Sequence, residues 1–250
     1  MVEKVFFALE GSGTDKKIDW PYVLISAATL WTGKRFKPFR PHQNVREVFL
    51  DSGGFSFFSR YGEYPYTCLQ LWRLARKLNA SYVAVMDYPC EPGVNRERYK
   101  TNIERIERTI ENGMKCLDLD GVNWVMVIQG YTVDEYLYAI DRIREQGLLT
   151  DVMAIGTLCT RRSISAAREA ILAIRKALPG RVKLHGFGVD LRFLRDPAIF
   201  HALYSTDTGA WKGFMPMKEI EKLQYLEKYK QKVLAVLEFH SAQKSLVEVI

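Results

Sequence analysis

A chain of 250 residues, 48% of them hydrophobic, can bury one sizeable core, and α/β barrels often reach this length as single units. The net charge of +7 favours an anionic partner and bears on partners rather than on fold. There is no uninterrupted run of about 18 apolar residues, which argues against a membrane span, and the short apolar run after Met1-Val2-Glu3-Lys4 lacks a signal-peptide cleavage site, so the chain reads as cytoplasmic.

In chain order, Val5 to Leu9 is a weak strand candidate, followed by Gly11-Ser12-Gly13. That loop has a phosphate-cradle look but lacks the third glycine and the lysine of known phosphate loops. Tyr22 to Leu30 suits strand or helix. From Trp31 to His42, cations and rings alternate: Lys34, Arg35, Phe36, Lys37, Phe39 and Arg40. Cations neutralise phosphates and rings stack on bases, so a single-strand contact loop is one reading. A solvated loop with two anchoring rings is the other. Near-continuous apolar runs follow at Val48 to Asp51, Tyr82 to Asp87, Trp124 to Gly130, Val152 to Gly156 and Val182 to Gly188. Such runs suit parallel strands buried on both faces. Ala202 to Asp207 is a weaker strand.

Helical patterns lie between the strands. Ile103, Ile106 and Ile110 mark one amphipathic helix. Thr132-Val133-Asp134-Glu135 has the form of a capping box, Ile140 and Ile143 continue its stripe, and Gly147 supplies a stop. Ser163 caps a helix carrying Ile164, Ala167, Ile171 and Leu178, ended by Pro179-Gly180. Residues 217–250 read as a lysine-rich helical segment. Alternating strands and helices imply βαβ units, and six to eight of them favour a closed (β/α)8 barrel of the TIM type over an open sheet. We expect one domain over residues 1–250, with no linker and no repeat.

Cys68, Cys90, Cys116 and Cys159 form no C-x-x-C pair, and the four histidines are dispersed. The expectation is four thiols in a reducing compartment, no disulfide framework and no metal site.

In a barrel of this kind the loops after the strands form the active face. The polar residues at strand ends are Asp51, Asp87, Gln129, Gly156, His185 and Asp207. Taken singly, an aspartate before glycine is a turn former. Several carboxylates converging on one mouth are costly to desolvate, which points to a task.

Several of these segments, in this order, resemble the tRNA-guanine transglycosylase family. Leu50-Asp51-Ser52-Gly53-Gly54-Phe55 is similar to its D-S-G-G-[FY] motif, and Asp87 to Pro92 to its D-x-x-x-P loop. Val127-Ile128-Gln129-Gly130 matches V-Q-G, Ala154-Ile155-Gly156 matches A-I-G-G with Thr157 in the second glycine's place, and His185-Gly186-Phe187-Gly188 resembles M-G-V-G. Ser205-Thr206-Asp207 falls where that family's nucleophile lies. The family's three cysteines and histidine for zinc are missing near the C-terminus. The closer likeness is to its compact zinc-free branch, the deoxypurine-in-DNA proteins that insert 7-deazaguanines into DNA, and the Asp207-Thr208-Gly209-Ala210-Trp211 variant also resembles that branch.

The resemblance implies replacement of guanine by a free 7-deazaguanine such as preQ0 in nucleic acid, in DNA rather than tRNA, with no cofactor. It implies Asp207 as nucleophile and Asp51 as general acid-base. It further implies a base site of Ser52, Phe55, Asp87, Gln129, Gly130, Gly156, His185 and Gly186, with Gln129 and the Gly156 amide addressing the base carbonyl. Lys34, Arg35, Lys37, Arg40, Arg161, Arg162 and Trp211 are the expected nucleic-acid contacts. Three alternatives stand beside this reading: a tRNA-directed enzyme, a non-catalytic nucleic-acid-binding barrel subunit, and an unrelated barrel hydrolase acting on a sugar.

Overall fold

A computed structural model of the chain describes residues 1–11, 14–94, 97, 99–159, 161, 163–212 and 218–247. Eight parallel strands close into a barrel in the order β1 to β8. They are β1 (Lys4–Leu9), β2 (Tyr22–Ser26), β3 (Glu47–Asp51), β4 (Tyr82–Ala84), β5 (Trp124–Ile128), β6 (Val152–Ile155), β7 (Lys183–Gly186) and β8 (Ser205–Thr208). The helices are α1 (Ala27–Leu30), α2 (Gly54–Arg60), α3 (Cys68–Leu78), α4 (Asn102–Leu117), α5 (Val133–Glu145), α6 (Ile164–Ala177), α7 (Leu191–Leu194), α8 (Pro197–Ala202) and α9 (Glu219–Val247). The expected (β/α)8 barrel is the fold observed.

Local chemistry explains many of the boundaries. Reciprocal capping boxes start α3 at Thr67 and Gln70, α4 at Thr101 and Glu104, and α5 at Thr132 and Glu135. In each, two otherwise orphaned amides find a side-chain acceptor. Ser163 caps α6 as its sequence suggests. Tyr22 to Leu30 turns out to be both structures in succession, a strand and then one helical turn. The C-terminal helix runs from Glu219; Met217, from which it was expected, lies outside the described residues, as do Ser12 and Gly13 of the glycine loop.

Side chains alternate between the barrel's inside and its helix layer, because the strand period is two. Phe6, Phe49, Tyr82 and His185 pack ring against ring inside the barrel, with centroids 4.4 to 6.4 Å apart. Below them Lys4 pairs with Glu47 at 2.5 Å and lies over the rings of Tyr22, Tyr82 and Tyr204. This end of the barrel is therefore plugged. Two residues further along, at the next inward position, stand Asp51 after Phe49 and Phe187 after His185, while Asp207 pairs in register with Phe6. The open end is thus the one to which the strands' C-termini point.

Two expectations are corrected. Cys68 of α3 and Cys116 of α4 are joined by a disulfide, with Cα atoms 5.3 Å apart, so the chain does not carry four thiols. Their 48-residue separation gives no local signal; only the packing of α3 on α4 brings them together. Trp211 offers no face to a nucleic acid. It is fully buried, stacks on Phe7, and donates its indole N–H to the Ala8 carbonyl at 3.1 Å. Trp211→Ala should lower the unfolding free energy by about 3–5 kcal/mol, as large core truncations do, measured by denaturant titration. A change below about 1 kcal/mol would show that the indole is not a core element.

Among the described residues no helix is long and apolar enough to cross a membrane.

Candidate active site

The strand-to-helix turn after β3 sets one wall of the site. Gly53 adopts φ +81°, and a Cβ there would stand 2.8 Å from both the Cβ and the amide nitrogen of Ala28. A Cβ on Gly54 would stand 2.7 Å from the Tyr64 hydroxyl and 2.8 Å from the Asp87 carbonyl oxygen. The first glycine is required by backbone conformation and the second by close approach of the β4 loop. Together they let Asp51 end its strand facing the mouth, with its Oδ2 accepting the Gly53 amide at 3.1 Å.

The mouth holds a cavity of about 160 Å³ lined by four carboxylates, Asp51, Asp87, Glu91 and Asp207. Leu24, Phe55, Pro89 and Phe187 supply apolar walls. Drug-sized sites run to about 300–1,000 Å³, so this cavity suits a group no larger than a nucleobase.

Asp87 is the most heavily tied of the four. Its Oδ1 accepts from the Ser52 hydroxyl at 2.7 Å and from Tyr64 at 3.3 Å, and its Oδ2 from the Gln129 amide at 2.5 Å. Gln129 is held in turn by the Thr157 hydroxyl, which donates to its Oε1 at 2.7 Å. Thr157 adopts φ +58°, a conformation that costs a β-branched residue about 1–3 kcal/mol. Where the resembling motif has glycine, this chain keeps a hydroxyl that also reaches Glu91 Oε2 at 3.3 Å and accepts the Cys90 amide. A Cβ on Gly156 would stand 2.5 Å from the Gln129 amide carbon, so only glycine leaves that side chain its place.

Burial in the mouth pushes the Asp51 carboxyl up to about 7, and the charges of Asp87 and Asp207 add to the effect. Burial also raises Asp87 and Glu91, the latter with help from the Asp87 charge. Like charges sharing one low-dielectric cavity cannot all ionise cheaply, which is why Asp51, Asp87 and Glu91 all move in the same direction.

Asp207 is held differently. Its Oδ1 accepts the Gly188 amide at 2.9 Å and lies 3.4 Å from His185 Nε2. His185 is fully buried inside the barrel, with Nδ1 2.9 Å from the Ser205 hydroxyl and Nε2 without a hydrogen-bond partner among the described residues. Asp207 Oδ2 has no hydrogen bond among the described residues.

Of the residues expected in the base site, Phe55, Asp87, Gln129 and Gly156 line the cavity together with Asp51 and Asp207. Ser52, Gly130, His185 and Gly186 do not. Ser52 is fully buried behind Asp87, Gly130 packs against Tyr136, Gly186 faces Val189 and Leu203, and His185 lies beneath Asp207. The Gly156 amide is also not free for a base carbonyl, because it donates to the Ile128 carbonyl in the barrel ladder. The Gln129 Oε1 is taken by Thr157, and Nε2 spends one of its two N–H donors on Asp87. Glu91, Thr157, Tyr64 and Gly188 are parts of the site that the strand-end reading does not find. Glu91 and Gly188 lie inside recognisable motifs, whereas Tyr64 carries no sequence signal.

The expected nucleic-acid contacts divide in the same way. Lys34, Arg35 and Arg40 are exposed and have no carboxylate partner among the described residues, while Lys37 donates to the Gly11 carbonyl at 2.8 Å. Trp31 and Phe36 are half-buried and pack on Tyr66, so the rings anchor the loop. Arg161 donates to the carbonyls of Thr157 and Tyr131 and lies over the Tyr131 and Tyr136 rings. Arg162 lies outside the described residues.

A closed (β/α)8 barrel whose C-terminal mouth gathers four carboxylates around a base-sized cavity has the layout of a barrel enzyme's active site. The sequence model of the family DpdA, deoxypurine in DNA protein A, matches residues 32–219, and the chain belongs to that family. Comparison with curated proteins finds no match.

Proposed function

We propose that the chain is a transglycosylase that exchanges guanine in DNA for a free 7-deazaguanine of the preQ0 type. Exchange without strand cleavage requires that the glycosidic bond break while the sugar stays activated. The Asp207 carboxylate attacks C1′, the C1′–N bond breaks with its electron pair leaving on guanine, and a glycosyl ester forms. Asp51 gives its proton to the departing guanine, then takes one from the incoming base as that base attacks C1′ and releases Asp207. Proton and electrons balance over the cycle, and no step is routed through a metal.

The observation that carries the reading is the pairing of unlike carboxylates on one small cavity. Asp51, pushed up to about 7, holds a proton close to neutral pH, while Asp207 Oδ2 stands without a donor among the described residues. Asp87, fixed from both sides by Ser52, Tyr64 and Gln129, has remaining acceptor capacity for the N–H edge of a guanine-like base. Phe55 and Phe187 provide apolar faces, and stacking of a base on an aromatic ring is worth about 1–3 kcal/mol. The family's name, deoxypurine in DNA, supports DNA as the polymer.

The test is incubation with preQ0 and separate pools of DNA and tRNA, followed by nucleoside mass spectrometry. The expected product is a 7-deazaguanine deoxynucleoside in the DNA pool. Modification confined to tRNA would reassign the polymer, and modification of neither would end the exchange reading.

A further inference from the structure

The acidic mouth does not stand alone on its face of the barrel. A second cleft of about 450 Å³ adjoins it, with Ser56 forming part of both walls, and is flanked by Thr32, Gly33, Arg60 and Tyr61. A third, of about 650 Å³, adjoins the second across Trp31 and lies between the Lys34 to Arg40 segment and α3. Its rim carries Lys34, Arg35, Arg40, Arg73 and Lys77, and among the described residues no carboxylate lines it. Among the described residues none of these five cations has an ion pair, and all five are exposed, as is Arg60 in the second cleft. Lys34 and Arg35 are also held in place. They occupy a tight turn closed by the Trp31–Phe36 bridge and by a bond from the Thr32 amide to the Arg35 carbonyl. Gln70, Arg73 and Lys77 follow one another at helical spacing along a single face of α3, a rise of about 10 Å.

Charge sorts what each part of this surface accepts. A phosphodiester is repelled by the ionised members of the acidic mouth and drawn to uncompensated cations, whereas a neutral base can enter the mouth. Tyr61, 65% exposed, and Phe55, 45% exposed, are open ring faces between the two regions, on which unstacked bases can rest. We propose that the three clefts form one track for a single strand of DNA. The base to be exchanged enters the mouth, neighbouring nucleotides cross Tyr61 and Arg60, and their phosphates settle among Lys34, Arg35, Arg40, Arg73 and Lys77. This rests on the exchange reading and adds the path of the flanking strand, including α3 cations that no sequence motif marks.

The test compares the wild-type chain with Arg73→Glu/Lys77→Glu and with the neutral pair Arg73→Gln/Lys77→Gln, by fluorescence anisotropy of labelled single-stranded DNA over a salt series. The reversal should weaken binding at low salt by more than tenfold, with the neutral pair intermediate. The slope of log K against log salt should become shallower by about 0.7 for each phosphate that is no longer neutralised. Binding of free preQ0, followed by calorimetry, should stay unchanged in both variants, because neither side chain lines the mouth. Equal affinity and equal salt slope in all three proteins would overturn the track while leaving the exchange reading intact. A wild-type chain that binds no DNA but still binds preQ0 would remove both.

Discussion

Asp207→Ala should abolish base exchange, lowering the rate by at least about 10⁴-fold, the scale on which loss of a covalent nucleophile is felt. The reason lies in how the two carboxylate oxygens are used. Oδ1 is fixed by the Gly188 amide at 2.9 Å, with His185 Nε2 3.4 Å away, so the group is oriented from below. Oδ2 is left to attack. Asp207→Asn keeps an acceptor for Gly188 and removes the nucleophile, and so separates chemistry from folding. Both variants should bind free preQ0 as the wild type does, and neither should give a protein–DNA adduct on a denaturing gel. Exchange of labelled guanine at the normal rate by either variant would place the nucleophile elsewhere.

Asp51→Asn has two expected effects of opposite sign. Without a proton donor and acceptor, exchange should fall by about 10²–10⁴-fold. In the wild-type chain the first half-reaction, read as adduct formation, should decline as pH rises through about 7, because the proton that guanine needs is then lost from Asp51. The effect of the substitution on stability has the opposite sign to its effect on exchange. The folded chain holds the Asp51 proton up to about pH 7, whereas the unfolded chain releases it near its ordinary value of 3.8. Between those values the unfolded state loses its proton first, so this group costs the fold about 1.4 kcal/mol for each pH unit gained. Asparagine mimics the protonated acid and removes that slope. The variant's melting temperature should therefore match the wild type near pH 4 and exceed it by about 10 °C at pH 8, since the three pH units between the two values amount to roughly 4 kcal/mol and about 1 kcal/mol corresponds to 2–4 °C in a chain of this size. A melting temperature unchanged at pH 8 would mean that Asp51 is not a strained acid in the folded protein.

The Thr157 position shows where motif comparison stops being informative. Against A-I-G-G it counts as a mismatch. In the structure it holds the left-handed backbone that glycine would adopt and uses its hydroxyl to fix Gln129, which fixes Asp87. The same chain of contacts gives Gln129 a role in orienting Asp87, the residue beside it on the cavity wall. His185, a strand-end residue by sequence, sits one inward step too deep and supports Asp207 from inside the barrel.

Apolar runs at regular intervals with helical stripes between them were enough for an eight-stranded barrel, since strand and helix periods are local properties of the chain. Aspartates at strand ends were legible for a related reason: strand parity and the barrel's polarity decide which end they face. Partnership is another matter. The disulfide between Cys68 and Cys116, the burial of Trp211 against Phe7 and the alignment of Arg73 and Lys77 with the Lys34 to Arg40 loop depend on which helix packs beside which segment. Proton affinity is likewise set across the fold, because the rise of Asp51 comes from burial and from charges 36 and 156 positions further along the chain. Local pattern carries periodicity and therefore architecture; pairings between remote segments exist only after closure, and they settle which groups are free to act.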